Sequence, residues 1–335
     1  MRVLVTGSAG FIGAAVSFSL LERGDWVCGL DNVNAYYDTS LKEARLDRLR
    51  PFDRFAFERG DVADWSCCAR VFEQFRPECV VHLAAQAGVR YSIERPFLYE
   101  EANLRGFLNI LEACRGSGVS HLLYASSSSV YGGNEKRPYA EDDGVDHPVS
   151  LYAATKKANE LMAHAYSHLF SISSTGVRFF TVYGPWGRPD MALFRFTEAI
   201  LAGQPIRLFG AGRLRRDFTF IDDVVACTLA LLDRPPSATS DYDHKQPRPS
   251  HSSAPYRVVN IGNGSPVTVV ECVELLSRAL GVRYTAEHLP QQPGDAEATE
   301  ADVSNLRQLT GLVPTTPLAG GIRQFVEWYR TYYRM

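Results

Sequence analysis

Residues 2–13 read "RVLVTGSAGFIG". The first half is a short apolar run that suits a buried strand, and the second half opens a helical pattern that continues to Arg23. Gly7, Gly10 and Gly13 stand at the hinge. A strand that turns through glycines straight into a helix presents the unpaired N–H groups and positive potential of the helix start. The glycines let backbone approach a ligand closely, so the stretch predicts a pyrophosphate cradle built from Gly7, Gly10, Phe11, Ile12 and Gly13. The spacing is Gly-x-x-Gly-x-x-Gly rather than Gly-x-Gly-x-x-Gly, which marks a particular branch of dinucleotide binders.

Outward from this stretch, apolar runs at 26–30, 55–58, 78–83, 119–126 and 175–180 alternate with helical patterns at 41–50, 64–75, 99–116 and 150–170. Regular alternation predicts an α/β fold, a Rossmann-type doubly wound parallel sheet. After residue 180 the alternation loosens around Pro185, Pro189, Pro205 and Gly210-Ala211-Gly212, followed by a strand at 256–261 and helices near 267–280 and 317–332. The expected division is a dinucleotide-binding domain over 1–180, with segments near 216–235 and 256–262 returning to it. A smaller mixed α/β substrate-binding domain is expected over 181–335, interleaved with the first. The polar, proline-rich stretch 235–255 is expected to be an exposed, mobile loop.

Of 335 residues, 45% are hydrophobic and 22% charged, with a formal net charge of -3, so nothing suggests a basic surface for nucleic acid or membrane. An anionic ligand must then be met by local arginines. The seven cysteines lie in apolar segments with no Cys-x-x-Cys spacing; reduced core cysteines and no metal site are expected. The chain enters a strand at once and no apolar run approaches the ~18 residues of a membrane span, so the cytoplasm is the expected location.

Asp31 ends the second strand, with Asn32 beside it. A carboxylate there accepts hydrogen bonds from an adenosine ribose and repels a 2′-phosphate, which favours NAD over NADP. Asp61-Val62 after the third strand and Leu83-Ala84-Ala85-Gln86 after the fourth are expected to line the adenine and nicotinamide halves of the cofactor site. In "YAATK", Tyr152 and Lys156 fall at i and i+4 on one helix face. An ammonium near a phenol lowers the phenol's pKa from ~10, and the cationic nicotinamide adds to the effect. The stretch 125–132, "ASSSSVYG", ends the fifth strand, where ligands sit in a doubly wound sheet, so the serines are read as the floor of an active site. Ser127 is the hydroxyl expected to align a reacting oxygen with the phenol.

Together Gly7, Gly10, Gly13, Asp31, Ser127, Tyr152 and Lys156 resemble the extended short-chain dehydrogenase/reductases that act on nucleotide sugars. The resemblance runs nearly end to end, through "RRDFTFIDD" (215–223) and "QPGDAEATEADVS" (292–304). Within that family it is nearest to the UDP-glucuronate 4-epimerases, on "HLAAQAGVRYS" (82–92), "ASSSSVYG", "SLYAATKKANELMAH" (150–164) and "RFFTVYGPWGRPDMA" (178–192). It implies a tightly bound NAD that is recycled, with Tyr152 as the base, and reversible conversion of UDP-glucuronate to UDP-galacturonate through a 4-keto sugar. The alternatives are a UDP-glucuronate decarboxylase or another UDP-sugar 4-epimerase.

The same resemblance places site residues. Nucleotide-sugar 4,6-dehydratases carry Asp-Glu where this chain has Ser128 and Ser129, and decarboxylases typically carry glutamate at Ser129. Thr181 replaces the asparagine of UDP-galactose 4-epimerases, where a C6 carboxylate would lie. Arg188 is the first candidate for the sugar carboxylate and Arg90 the second. Arg216 matches a diphosphate-clamping arginine, Asp295 matches a uridine-side acid, and Gln292 stands where galactose epimerases have a second phosphate arginine. Asn103 is expected to order backbone or water at the cofactor site, or to cap its helix. A homodimer is expected by resemblance, through the helices at 99–116 and 150–170.

Overall fold

The computed structural model of the chain describes residues 1–290 and 296–334. Strand β1 (Arg2–Thr6) turns into α1 (Phe11–Glu22), followed by β2 (Trp26–Asp31), α2 (Thr39–Asp47), β3 (Phe55–Arg59), α3 (Trp65–Phe75) and β4 (Cys79–His82). Two single-turn helices, α4 (Tyr91–Glu94) and α5 (Pro96–Tyr99), run through a π-helical turn at Glu100–Arg105 into α6 (Gly106–Ser117). Then come β5 (His121–Ser127), α7 (Leu151–Phe170) and β6 (Ser174–Phe179). The second half holds β7 (Thr181–Tyr183), α8 (Ala192–Leu201), β8 (Ile206–Phe209), β9 (Arg215–Arg216), β10 (Phe218–Phe220) and α9 (Ile221–Leu232). It closes with β11 (Tyr256–Ile261), β12 (Val267–Thr268), α10 (Val269–Leu280), β13 (Ala286–Leu289), α11 (Ser304–Thr310) and α12 (Leu318–Tyr333).

Seven parallel strands form one sheet in the order β3-β2-β1-β4-β5-β6-β11. Both faces are covered, which explains why the strands read as continuous apolar runs. Val3, Val5, Val81, Leu123 and Val259 face one core with α1, α9, α10 and α12. Their neighbours Leu4, Val80, Leu122, Tyr124 and Val258 face a second core with α3, α6 and α7. The chain reverses its direction of winding between β1 and β4, so the crevice beyond the carboxyl ends of these strands is where a doubly wound sheet binds ligands. Beside it, three two-stranded pairings (β7 with β10, β8 with β13, β9 with β12) build the less regular half. The strand at 256–261 returns to the main sheet beside β6, as the sequence suggests.

Two local expectations need correction. The helix read over 99–116 is interrupted by the π turn, whose wider winding accommodates the buried polar side chain of Asn103. Loop 235–255 contains no helix or strand but is tied down: Arg248 pairs with Asp142, the Ser250 N–H donates to Asp142 Oδ1 at 3.2 Å, and Ser250, Ser252 and Ala254 are buried. Composition showed how few aliphatic residues the loop has; it could not show that an acid far away in the chain would hold it.

Candidate active site

At the β1–α1 hinge Gly7 has φ +72° and its N–H donates to the Leu30 carbonyl at 2.8 Å. A Cβ there would lie 2.7 Å from Ala84 N, and one on Gly13 would strike the Gly7 carbonyl, so strand, turn and helix meet too closely for side chains. Helix α1 starts at Gly10 with no side-chain cap and no acidic residue in its first turn. Its positive end is therefore left for an external anion. Asp31 is buried; Oδ2 accepts from Ala9 N at 3.0 Å and Oδ1 from Val33 N at 2.7 Å. It thus braces the glycine loop, and the carboxylate retains lone pairs for a ribose. Asn32 donates to Asp61 Oδ2 at 2.8 Å, and Asp61 Oδ1 accepts from Ala63 N.

After β4, Leu83 N donates to the Thr6 carbonyl and Ala84 N to the Thr6 hydroxyl. Asn103 is not a helix cap. Its side chain accepts from Gln86 N at 2.8 Å and donates to the Gln86 carbonyl at 3.1 Å and to Thr155 Oγ1 at 3.0 Å. It fixes the backbone of the Leu83–Gln86 segment against α7. Ala85 lies within that segment, and Val62 is buried beneath α6 with its carbonyl accepting from Asn109.

The catalytic candidates converge at the carboxyl end of β5. Ser150, two residues before Tyr152, caps α7 by accepting from Ala153 N at 3.1 Å. Burial raises the Tyr152 pKa, while the Ser127 hydroxyl and the positive charge of Arg188 pull it down. Lys156, one helical turn on, donates through Nζ to the Ala125 carbonyl at 2.9 Å, and burial depresses its own pKa to about 8. Tyr99 packs edge-on to the Tyr152 ring at 6.2 Å.

Ser127 also donates to Ser129 Oγ at 3.1 Å and accepts from Ser129 N at 3.1 Å, so the serines form a connected floor, with Ser128 half-buried between them. Arg188 grips Asp190 through Nε at 2.9 Å and Nη2 at 2.5 Å, and Tyr36 donates to Asp190 Oδ2 at 3.2 Å. Thr181 is half-buried at the start of β7, its N–H on the Asp217 carbonyl. Arg90 lies at the start of α4 with its guanidinium 4.8 Å from the Phe209 ring centroid. Arg216 stands on the β9–β12 ribbon, donating to the Arg215 carbonyl at 2.9 Å. Asp295 and Gln292 fall outside the described residues.

Several site residues are absent from the sequence reading. Arg45 of α2 is fully buried and donates to the Ala9, Trp186 and Gly187 carbonyls, joining the glycine loop to the segment that carries Arg188. Asp190 and Tyr36 orient Arg188. Glu160 and Arg178 form a buried ion pair behind β5, with side-chain exposures of 2% and 0%. A signal for that pair exists: Arg178 is a lone charge in an otherwise buried strand, and Glu160 follows Lys156 at i+4 on the same helix face. Among the described residues no group of three or more His, Cys, Asp or Glu could hold a metal ion, and no helix is long and apolar enough to cross a membrane.

A fold with a phosphate cradle at its switch point and a Ser-Tyr-Lys cluster at the next strand end matches a known family. The family model "NAD dependent epimerase/dehydratase family" matches residues 3–261, and the chain belongs to this family. More narrowly, the chain is 47% identical over 335 residues to a probable UDP-glucuronate 4-epimerase of Rhizobium meliloti, covering 100% of this chain and 98% of that protein. It is 48% identical over 339 residues to UDP-glucuronate 4-epimerase 1 of Arabidopsis thaliana, covering 99% and 77%. The structure resembles that of the UDP-glucuronic acid 4-epimerase from Bacillus cereus in complex with UDP-glucuronic acid and NAD. The TM-score is 0.88 at 32% identity, covering 99% of this chain and 100% of that one.

Proposed function

We propose that this protein is an NAD-dependent enzyme that interconverts UDP-glucuronate and UDP-galacturonate by inverting the sugar's C4. The uncapped start of α1, the braced glycine loop and Asp31 fit a dinucleotide: N–H groups and positive potential for the pyrophosphate, a carboxylate for the ribose. Asp61, Val62, Asn103 and the 83–86 segment complete the proposed cofactor site. Residues 1–180, with α9 and β11 added, form the cofactor half of this reading, and the rest of 181–335 is assigned mainly to the nucleotide sugar. NAD held by the glycine loop, Asp31 and the 83–86 segment would supply a hydride acceptor and donor for the sugar's C4.

The chain supplies the proton chemistry. Phenolate Tyr152 removes the 4-hydroxyl proton and later returns it, and Ser127 donates to the same oxygen region to align it. Lys156, held on the strand with a pKa of about 8, stays mostly protonated at neutral pH and is assigned both to the phenolate's side and to the cofactor. The observation that carries the assignment is the serine floor. Elimination of water needs an acid/base pair beside the catalytic hydroxyl, and Ser128 and Ser129 cannot serve as one near neutral pH. Hydroxyls also avoid repelling the substrate's own C6 carboxylate, which we assign to Arg188 with Ser129 and Thr181 near it, leaving Arg90 as the second candidate. Arg216 is assigned to the diphosphate, where a fork of donors suits phosphate oxygens.

We place the protein in the cytoplasm as a homodimer. Leu108 on α6 and Leu151, Leu161 and Leu169 on α7 are 41–68% exposed, an apolar surface that a second copy would cover. Light scattering at micromolar concentration should give twice the chain mass; a monomer would contradict the assignment. The activity is tested by NMR of the purified protein with UDP-glucuronate and no added cofactor. A stable mixture with UDP-galacturonate is expected, whereas UDP-pentose and carbon dioxide would show that the serine floor does not protect the carboxylate.

A further inference from the structure

Three consecutive residues of β5 each meet a different turn of α7. The Ala125 carbonyl accepts from Lys156 Nζ at 2.9 Å. The Ser126 hydroxyl donates to Glu160 Oε1 at 2.6 Å. Ser127, the last residue of the strand, has the hydroxyl that helps pull down the Tyr152 pKa. On the helix these partners recur at i, i+4 and i+8, so one face carries base, ammonium and carboxylate in line. Ser126 shares the α7 side of the sheet with Leu122 and Tyr124, and Ser127 lies at the strand's end, where the chain turns into the short helix at Ser128–Tyr131.

Glu160 is the most firmly held of the three helix residues. Arg178 of β6 grips it with Nε at 2.8 Å and Nη2 at 2.9 Å, and Arg178 Nη1 donates to the Glu141 carbonyl at 3.2 Å. The same guanidinium lies 4.9 Å from the centroid of the Tyr131 ring. Ser126, Glu160 and Arg178 are each at most 3% exposed. Burying such a pair is no efficient way to stabilise a helix against a sheet, because packed apolar residues of equal volume serve as well or better. What an ion-paired fork adds is direction: it allows one position of the helix along the strand and resists sliding or rolling.

We infer that Ser126, Glu160 and Arg178 are positioning residues for the proposed epimerase reaction, fixing the register of α7 on β5 so that the Tyr152 phenol stays within reach of the Ser127 hydroxyl. None of the three touches the reacting atoms. Loss of the Ser126 hydroxyl frees the strand side of the lock and leaves the Arg178–Glu160 pair intact. The phenol then drifts from its hydrogen-bond donor and becomes a weaker acid.

The test is a titration of Tyr152 in the purified holoenzyme by NMR of [13Cζ]tyrosine, with its signal assigned by its loss in Tyr152→Phe. In Ser126→Ala the midpoint should rise by about one pH unit, the scale of a lost hydrogen bond to the charged form. The rising limb of kcat against pH should move up equally, and Ser126→Thr, which keeps the hydroxyl, should restore both. Arg178→Lys keeps the charge without the fork and should shift the midpoint in the same direction. An unchanged Tyr152 midpoint in Ser126→Ala and Arg178→Lys, with only thermal stability lowered, would overturn the inference and leave a packing role. The titration needs no substrate. A shifted midpoint in a protein whose wild type does not turn over UDP-glucuronate would support the positioning role and overturn only the substrate assignment.

Discussion

Two arginine–carboxylate pairs stand on the elements around Tyr152, the proposed base, and they are built differently. Arg178–Glu160 lies behind β5 with side-chain exposures of 0% and 2%, and its arms are used: two on Glu160, one on a carbonyl. Arg188–Asp190 lies toward the substrate crevice at 24% and 16%, and Arg188 spends only Nε and Nη2 on its partner. In the first pair burial disfavours both charges, and each is held ionised by the other: Glu160 sits below the usual carboxylate range and Arg178 above its ordinary value. In the second, Asp190 and Tyr36 orient the fork, and the hydrogen bonds of Arg188 use Nε and Nη2 alone among the described residues. A saturated pair fixes a helix; an unsaturated one can recognise an anion.

Glu160→Ala breaks that contrast most severely. It strands a buried guanidinium, and the cost should be about 3–5 kcal/mol. Asp190→Ala, with partly exposed partners, should cost about 1–2 kcal/mol. Denaturant unfolding of both variants measures the difference, and equal losses would dissolve the distinction. The next largest effect is expected on activity. Arg188→Ala should lower kcat/KM for UDP-glucuronate on the order of 100-fold, since a hydrogen-bonded charge contact contributes roughly 1.5–3 kcal/mol. Because Arg188 also pulls down the Tyr152 pKa, kcat should fall for UDP-glucose too. KM in steady-state kinetics should rise for UDP-glucuronate and stay near wild type for UDP-glucose, whose sugar carries no charge, and equal KM changes would place Arg188 away from the sugar carboxylate.

Acid sharpens the comparison further. A carboxylate whose folded pKa is depressed contributes stability above its unfolded value, ~4.3 for Glu, and loses it as pH falls through the folded value. Wild-type stability should therefore fall below about pH 4, and Glu160→Gln should show a shallower fall in the same range. Urea unfolding from pH 6 to 3 reads both slopes; parallel curves would deny Glu160 its share. The smallest effect belongs to the exposed pair Arg248–Asp142, at 61% and 32%. Arg248→Ala should change stability by less than ~1 kcal/mol. A larger loss would mean that loop 235–255 is held by more than its surface.

What was legible in the sequence was local. Gly7, Gly10 and Gly13 announce themselves because a strand–turn–helix needs them within a few residues of one another, and Asp31 because it ends the very next strand. Tyr152 and Lys156 are visible through one helical spacing. Strand patterning, read from apolar runs, located all seven strands of the sheet because parallel strands are buried on both sides. What was not legible was non-local or depended on one residue of winding. Arg178 finds Glu160 and Arg45 finds Trp186 only after folding: a lone charge in a buried strand signals that Arg178 needs a partner, but the sequence does not join it to Glu160. The π turn changes the register of a helix without changing its composition. Arg188, 36 residues beyond Tyr152 in the chain, also pulls the phenol's pKa down, and no local spacing announces it.

The central claim is that hydride leaves and returns at one carbon while the carboxylate stays in place. Incubation of the purified protein with UDP-glucuronate deuterated at C4 tests it most directly, with product read by proton NMR and mass spectrometry. The account predicts UDP-galacturonate that keeps both its deuterium at C4 and its C6 carboxylate. Product with solvent hydrogen at C4, or a pentose with carbon dioxide released, would contradict it.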